Sequence, residues 1–167
     1  MRILAGCLLV ATAGVVIAPS SKELHRRYGA PDSQIRGEKN APAIETFTAR
    51  PGINLSVRYG SDHRACKISI TPAQSPDHQE LSPKQESSSM SSKDVSEILE
   101  DVAPVSLRGT KLSAGGFQSS CANRYVTEYE NVTVMRGFNG CDLSNPNHDI
   151  GTTIIYKRDI CPKPDAP

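Results

Sequence analysis

Between Ile53 and Thr71 the chain alternates apolar and polar residues in a pattern that fits a half-buried β-hairpin. Ile53, Leu55, Val57 and Tyr59 fall on one side of an extended chain, and Asn54, Ser56 and Arg58 on the other. After Gly60-Ser61-Asp62 the pattern resumes: Cys66, Ile68 and Ile70 on one side, Lys67, Ser69 and Thr71 on the other. Successive side chains of a strand point to opposite faces, so this spacing predicts two strands with one packed face and one wet face. A weaker alternation over residues 44–49, followed by the turn pair Pro51-Gly52, adds a third strand to the meander.

Helical spacing appears twice. Ser20 or Ser21 caps a short first helix in which Leu24 and Tyr28 lie four apart, and Gly29 with Pro31 stops it. Residues 32–42 are polar and interrupted by Gly37 and Pro42, and read as loop. Ser91, three residues before Asp94, makes a capping-box-like start to a second helix, with Val95, Ile98, Leu99 and Val102 as its apolar stripe and Pro104 as its stop. A Gly/Ser-rich passage then leads to "RYVTEYENVTVMRG", rich in β-branched and aromatic residues, and to a last strand in "TTIIYK". The expected fold class is α+β: two small helix-plus-antiparallel-sheet units, stabilised by disulfides. The boundaries are a signal peptide over 1–20, a helix-plus-meander unit over 21–71, a linker over 72–92, a second unit over 93–163 and a tail over 164–167. The Ser, Pro and Gln content of residues 72–92 lacks apolar periodicity and predicts a flexible connection.

Two short matches suggest a degenerate tandem repeat. Ser20-Ser21-Lys22-Glu23-Leu24 answers Ser91-Ser92-Lys93-Asp94-Val95, and Asn54–Gly60 answers Asn131–Gly137.

The N-terminus carries one cation, Arg2, then an apolar run from Ile3 to Ala18 that ends in small residues, the pattern of a secretory leader. A cut after Ala18 places Pro19 next, which is unfavourable, and a cut after Ser20 avoids it. The run falls short of the about 20 apolar residues of a comfortable membrane span. Leu4-Ala5-Gly6-Cys7 spells a lipoprotein box, but too few residues precede it. Four cysteines follow the leader: Cys66, Cys121, Cys141 and Cys161. On an exported chain they read as two disulfides, and C-x-x-C and H-x₃-H spacings for zinc are absent. If the chain reverses near Glu130-Asn131, Cys121 approaches Cys141 and leaves Cys66 for Cys161. One long strand through that point would spoil the pairing. Loss of Arg2 leaves 18 basic against 18 acidic residues, so charge argues for neither nucleic acid nor anionic membrane as partner. Aromatics make up 5% of the chain and Trp is absent, so the core is modest and disulfides supplement it.

The segments ELHRRYGAPD, RPGINLSVRYGSD, VSEILEDV, VTEYENV and YKRDIC, with cysteines between them, resemble a family of uncharacterised exported bacterial proteins. The resemblance spans most of the mature chain. In outline, a helix followed by a small antiparallel sheet, twice over, is similar to the β-lactamase inhibitor protein and to the outer-membrane assembly lipoproteins of related fold. The resemblance implies a binding role; no activity and no site residue come with it.

The most chemical-looking stretch is Gly60–Cys66, "GSDHRAC". Adjacent strand side chains point in opposite directions, so Asp62, His63 and Arg64 read as a polar hairpin tip rather than a relay. Were the chain an enzyme, these three with His148 and Asp149 form the candidate polar site. His25 lies beside Arg26 and Arg27, and His78 lies in the linker. No metal or cofactor site is expected. A G-x-S-x-G elbow, a phosphate loop and a dinucleotide fingerprint are all absent from the sequence, and the sequons at Asn54 and Asn131 fall in strands. Tyr59, Tyr125, Tyr129 and Phe138 form the candidate binding face, because amphipathic aromatics anchor interfaces. The leading expectation is an exported, non-enzymatic binding or protein-interaction module with an unidentified protein or envelope partner, periplasmic or extracellular. The alternatives are a small secreted hydrolase or metal-dependent enzyme using His63 and His148, and an envelope protein anchored by a retained leader.

Overall fold

A computed structural model describes residues 18–37, 43–73, 90–119, 121–141 and 148–161. The strands are β1 (Ser33–Ile35), β2 (Ile44–Arg50), β3 (Ile53–Tyr59), β4 (Ala65–Pro72), β5 (Met90–Ser91), β6 (Lys111–Ser119), β7 (Ala122–Tyr129), β8 (Val132–Asn139) and β9 (His148–Tyr156). The helices are α1 (Ser21–Tyr28), α2 (Ser92–Val102) and α3 (Val105–Arg108). The chain is therefore predominantly antiparallel sheet with a few helices.

One sheet joins both halves in the order β1-β2-β3-β4-β9-β8-β7-β6, and β5 pairs with β9 off that path. The order reads alike from either edge. α1 precedes β1 to β4 and α2 precedes β6 to β9, and β4 meets β9 in the middle, where Ser69 faces Thr153. Cross-strand partners share a face, so the registers trace one row through the whole sheet: Gln34, Glu45, Val57, Ile68, Ile154, Val134, Thr127 and Ala114. The row is buried from Glu45 to Val134, half-buried at Thr127 and exposed at Ala114. Leu24 of α1 and Val95, Ile98, Leu99 and Val102 of α2 cover its buried stretch and form one core with Phe47, Leu55, Ile70 and Tyr156. Among the described residues, only α3 reaches past β8, where Arg108 lies over Tyr129 of β7.

The two helix starts differ. Ser20 Oγ accepts the Glu23 N–H, and the Glu23 carboxylate accepts the Ser20 N–H at 2.7 Å, a closed capping box. Gly29, at φ 87°, ends α1. The capping-box start expected at Ser91 is not made, and Ser91 gives α2 no side-chain cap. Its backbone is engaged instead in β5, opposite His148.

Several boundaries move. Ala18 is fully buried, its carbonyl accepts from Arg64 at 2.9 Å, and Ser20 caps α1. Residues 18–20, read as the end of the leader, are thus built into the fold. β1 lies inside the expected loop 32–42, and β6 runs through the Gly/Ser passage that carried no strand pattern. Residues 72, 73 and 90–92 of the expected linker belong to β4, β5, α2 and their immediate flanks, while 74–89 lie outside the described residues, as do residues 1–17 of the leader and the tail 164–167. The chain reverses at Glu130-Asn131, between β7 and β8. The disulfides join Cys66 to Cys161 and Cys121 to Cys141.

Candidate functional site

The expected polar site is divided by the sheet. Asp62, His63 and Arg64 form the turn ahead of β4, whereas His148 and Asp149 open β9. Because β4 and β9 run antiparallel, these two stretches lie at opposite ends of the strands, roughly 25 Å apart at strand rise. The hairpin tip is occupied by structural contacts. Asp62 pairs with Arg158 beside the Cys66–Cys161 bridge, and its carboxylate accepts the Arg64 N–H at 3.2 Å. Partial burial opposes its ionisation, but the Arg158 hydrogen bond and the Arg64 amide outweigh it and hold the carboxyl below the usual aspartate range. His63 takes a left-handed φ of 58° at the turn.

Asp149 is placed by a β-bulge. Gly137 faces Gly151 and Phe138 faces Asp149, so Ile150 is the extra residue. Without it Asp149 would point away from Thr152; with it both face the core. Asp149 is fully buried. It accepts from Arg136 Nε at 3.1 Å, Arg136 Nη2 at 2.6 Å, Ser92 Oγ at 2.9 Å and Thr152 Oγ1 at 3.2 Å. A bidentate guanidinium and two hydroxyls satisfy the carboxylate, and the network fastens the first turn of α2 to the sheet.

A second buried carboxylate, Glu45, does the same under α1. It accepts from Tyr59 OH at 2.7 Å, Ser21 Oγ at 3.1 Å and Gln34 Nε2 at 3.0 Å, and lies 3.0 Å from His25 Nε2. Ser21, His25 and Glu45 are the residue types of a catalytic triad without its geometry. A triad imidazole uses one ring nitrogen for the acid and the other for the hydroxyl, whereas here both Ser21 and Glu45 address Nε2. Burial, then the bond to Glu45, pushes the Tyr59 hydroxyl far above its ordinary range. Among the described residues no three of His, Cys, Asp and Glu are grouped to hold a metal ion. An open groove of about 510 Å³ along α2 is lined by Arg50, Lys93, Ser96, Glu97, Glu100 and Asp101. Arg50 pairs with Asp94 at 2.9 Å and Glu97 at 2.5 Å, tying the end of β2 to the helix, and Glu100 pairs with Arg108.

The four expected face aromatics separate. Tyr59 is buried in the core and is no part of an exposed face, because β3 lies beneath α1. Tyr129 is half-buried against the core under the Arg108 guanidinium, 5.9 Å from its ring centre. Tyr125 and Phe138 do meet, edge to face with centroids 5.6 Å apart, and Arg136 lies 5.2 Å over Phe138. Tyr125 is 55% exposed. On the reverse face of the same strands Phe117, also 55% exposed, lies under Arg124 at 5.9 Å. Leu112, at the bulge near the start of β6, is exposed as well. Phe117 and Leu112 escaped the sequence reading because β6 alternates small residues, Ala114 and Gly116 against Ser113 and Gly115, with no apolar period to reveal a strand. The β6–β7 ribbon therefore carries exposed apolar side chains on both faces.

No protein-family model and no curated protein matches the chain. Two solved structures are similar at low identity. One is a DUF4309 family protein (YjgB) from Bacillus subtilis, with 12% identity and TM-score 0.40, covering 83% of this chain and 78% of that one. The other is an extracellular protein containing a SCP domain from Bacillus anthracis, with 6% identity and TM-score 0.36, covering 94% of this chain and 49% of that one. This chain thus spans about half of the second protein's length. Both neighbours are bacterial; the outline likeness to the β-lactamase inhibitor protein is not shown.

Proposed function

We propose that the chain is an exported, non-enzymatic binding module whose contact surface is the β6–β7 ribbon with Phe138. The observation that carries this reading is the placement of Leu112, Phe117 and Tyr125, large and exposed, on β6 and β7, the two strands at the sheet's far edge. Phe117 beside Arg124, and Tyr125 with Phe138 beside Arg136, are the kinds of side chain that anchor interaction surfaces. The buried polar clusters, by contrast, satisfy one another, which favours a structural role for them. The hydrolase alternative on His63 and His148 draws no support from residues at opposite sheet ends. Two disulfides favour an oxidising compartment, and removal of a leader upstream of Ala18 leaves the α1 cap intact.

Descent of the two units from one duplicated ancestor is part of this proposal. Each carries a bulge at the start of its inner strand, at Cys66 in β4 and at Ile150 in β9. Matching the bulges sets Tyr59 on Phe138, and the registers then set Glu45 on Tyr125. Both pairs are in contact, Tyr59 with Glu45 through a hydrogen bond and Phe138 with Tyr125 through their rings. The same location is a buried polar clasp under α1 and an open aromatic pair beyond α2.

The test is a photo-crosslinking residue at Tyr125 or Phe117, compared with one at exposed Lys67 on β4, in the producing cells. The reading expects adducts from the first two positions and none from Lys67. Equal labelling at all three, or none anywhere, removes it.

A further inference from the structure

Resting on that reading of the ribbon, we infer that its partner is a second copy of this chain, added antiparallel along the β6 edge about a twofold axis at Gly115. β6 is a terminal strand of the sheet, nine residues long, while the other edge, β1, has three. An outer strand presents a row of backbone donors and acceptors ready for strand addition. Natural edges are usually blunted by charge, proline, brevity or a bulge, and β6 has a charge and a bulge only at its start, at Lys111 and Leu112. Residues 112–119, Leu-Ser-Ala-Gly-Gly-Phe-Gln-Ser, contain neither charge nor proline.

Symmetry restricts the register. A twofold perpendicular to the sheet keeps each face on its own side, so facing residues must have the same parity. Of the axes this leaves, the one at Gly115 sets the regular stretch Ser113–Phe117 against its copy, short of the β-bulge at Leu112. This arrangement sets small residues at the axis and aromatics beside it on both faces. On one face Gly115 meets its copy, with Phe117 of each chain opposite Ser113 of the other. On the other face Ala114 of one chain lies opposite Gly116 of the other. That Gly116 is roofed by Tyr125, whose ring occupies the space where a Cβ would sit, 2.9 Å from Cδ1. A Cβ at Gly115 meets nothing within 4 Å, so its face is open.

In the same register Phe117, the cross-strand partner of Arg124, whose guanidinium lies 5.9 Å from the ring centre, faces Ser113 of the other copy, the cross-strand partner of Glu128. Glu128 is itself held by Lys157 at 2.7 Å.

Sedimentation equilibrium on the disulfide-bonded mature chain tests the inference through Gly115→Asp and Gly115→Lys. Either substitution places like charges face to face at the axis. The wild type is expected to dimerise in a concentration-dependent way, and each variant to raise the dissociation constant by at least about tenfold. An equimolar mixture of the two variants is expected to restore a dimer. A wild type that stays monomeric at every concentration, variants that dimerise like it, or a mixture that stays monomeric each overturns the inference. Gly115→Cys provides a measurement independent of charge: oxidation should join two chains at position 115 and not at Lys111→Cys, and the converse also overturns the proposal. In cells, a Tyr125 or Phe117 adduct with the mass of two chains supports it. An adduct with a different protein overturns the second copy but leaves the ribbon a binding surface, whereas no adduct removes both.

Discussion

Asp149 carries the clearest energetic demand at the scale of a single residue. It is fully buried and forms an ion pair with Arg136, whose side chain is 25% exposed. Removing one partner of such a pair leaves the other desolvated and unmatched, whereas replacing both with apolar groups is often close to neutral. Asp149→Ala is therefore expected to cost about 3 kcal/mol or more in urea unfolding, and the double variant Arg136→Met with Asp149→Leu to recover most of that. Equal losses in the single and double variants would show that the pair is not the source. Nothing local in Asn147-His148-Asp149 announces this role. The bulge at Ile150 reverses the parity of β9, and parity is what a strand pattern reads. Tyr59 misled for a related reason: its alternation with Val57 placed it correctly on the packed face, but the hydroxyl's partner, Glu45, comes from another strand.

The contrast between the two helix starts is an argument about elements. Ser20 and Ser91 stand in near-identical sequences, yet Ser20 closes a capping box and Ser91 caps nothing through its side chain. Ser20→Ala is expected to lower stability by about 1 kcal/mol, and Ser91→Ala to stay within about 0.5 kcal/mol, as read from thermal or urea melts. A comparable loss at both would mean that β5 does not replace the cap. Elements with a strong period were legible: α1, α2, β3 and β4 follow from spacing alone. β1 and β6 were not, because an edge strand flanked by solvent needs no apolar alternation to hold its place. The similarity of Asn54–Gly60 to Asn131–Gly137 is also two residues out of step with the bulges, which place Tyr59 opposite Phe138 in the comparison. A slip of two keeps every side chain on its own face, so local sequence cannot detect it.

Across the whole molecule, covalent closure divides unevenly. Cys66–Cys161 closes a separation of 95 residues and Cys121–Cys141 one of 20. In a chain-entropy account these are worth about 4.5 and about 3 kcal/mol. Replacing Cys66 and Cys161 by serine is expected to lower the unfolding free energy more than replacing Cys121 and Cys141; the opposite order in a denaturant titration would reject that account. The long bridge ties the β3–β4 tip to the end of the chain after β9, while the short one closes the far ends of the β7–β8 hairpin. The residues alone were enough to determine the hairpin of β3 and β4, the Ser20 cap, the apolar stripes of the helices, and a cysteine set suited to two bridges, because these depend on spacing along a few consecutive positions. Only the tertiary structure decided that Glu45 and Asp149 lie buried and answered by partners, that the two polar stretches stand at opposite ends of antiparallel strands, and that β6 and β7 keep large apolar side chains exposed. Burial is set by which elements stack on which, and stacking depends on register and bulges that no short stretch of sequence encodes.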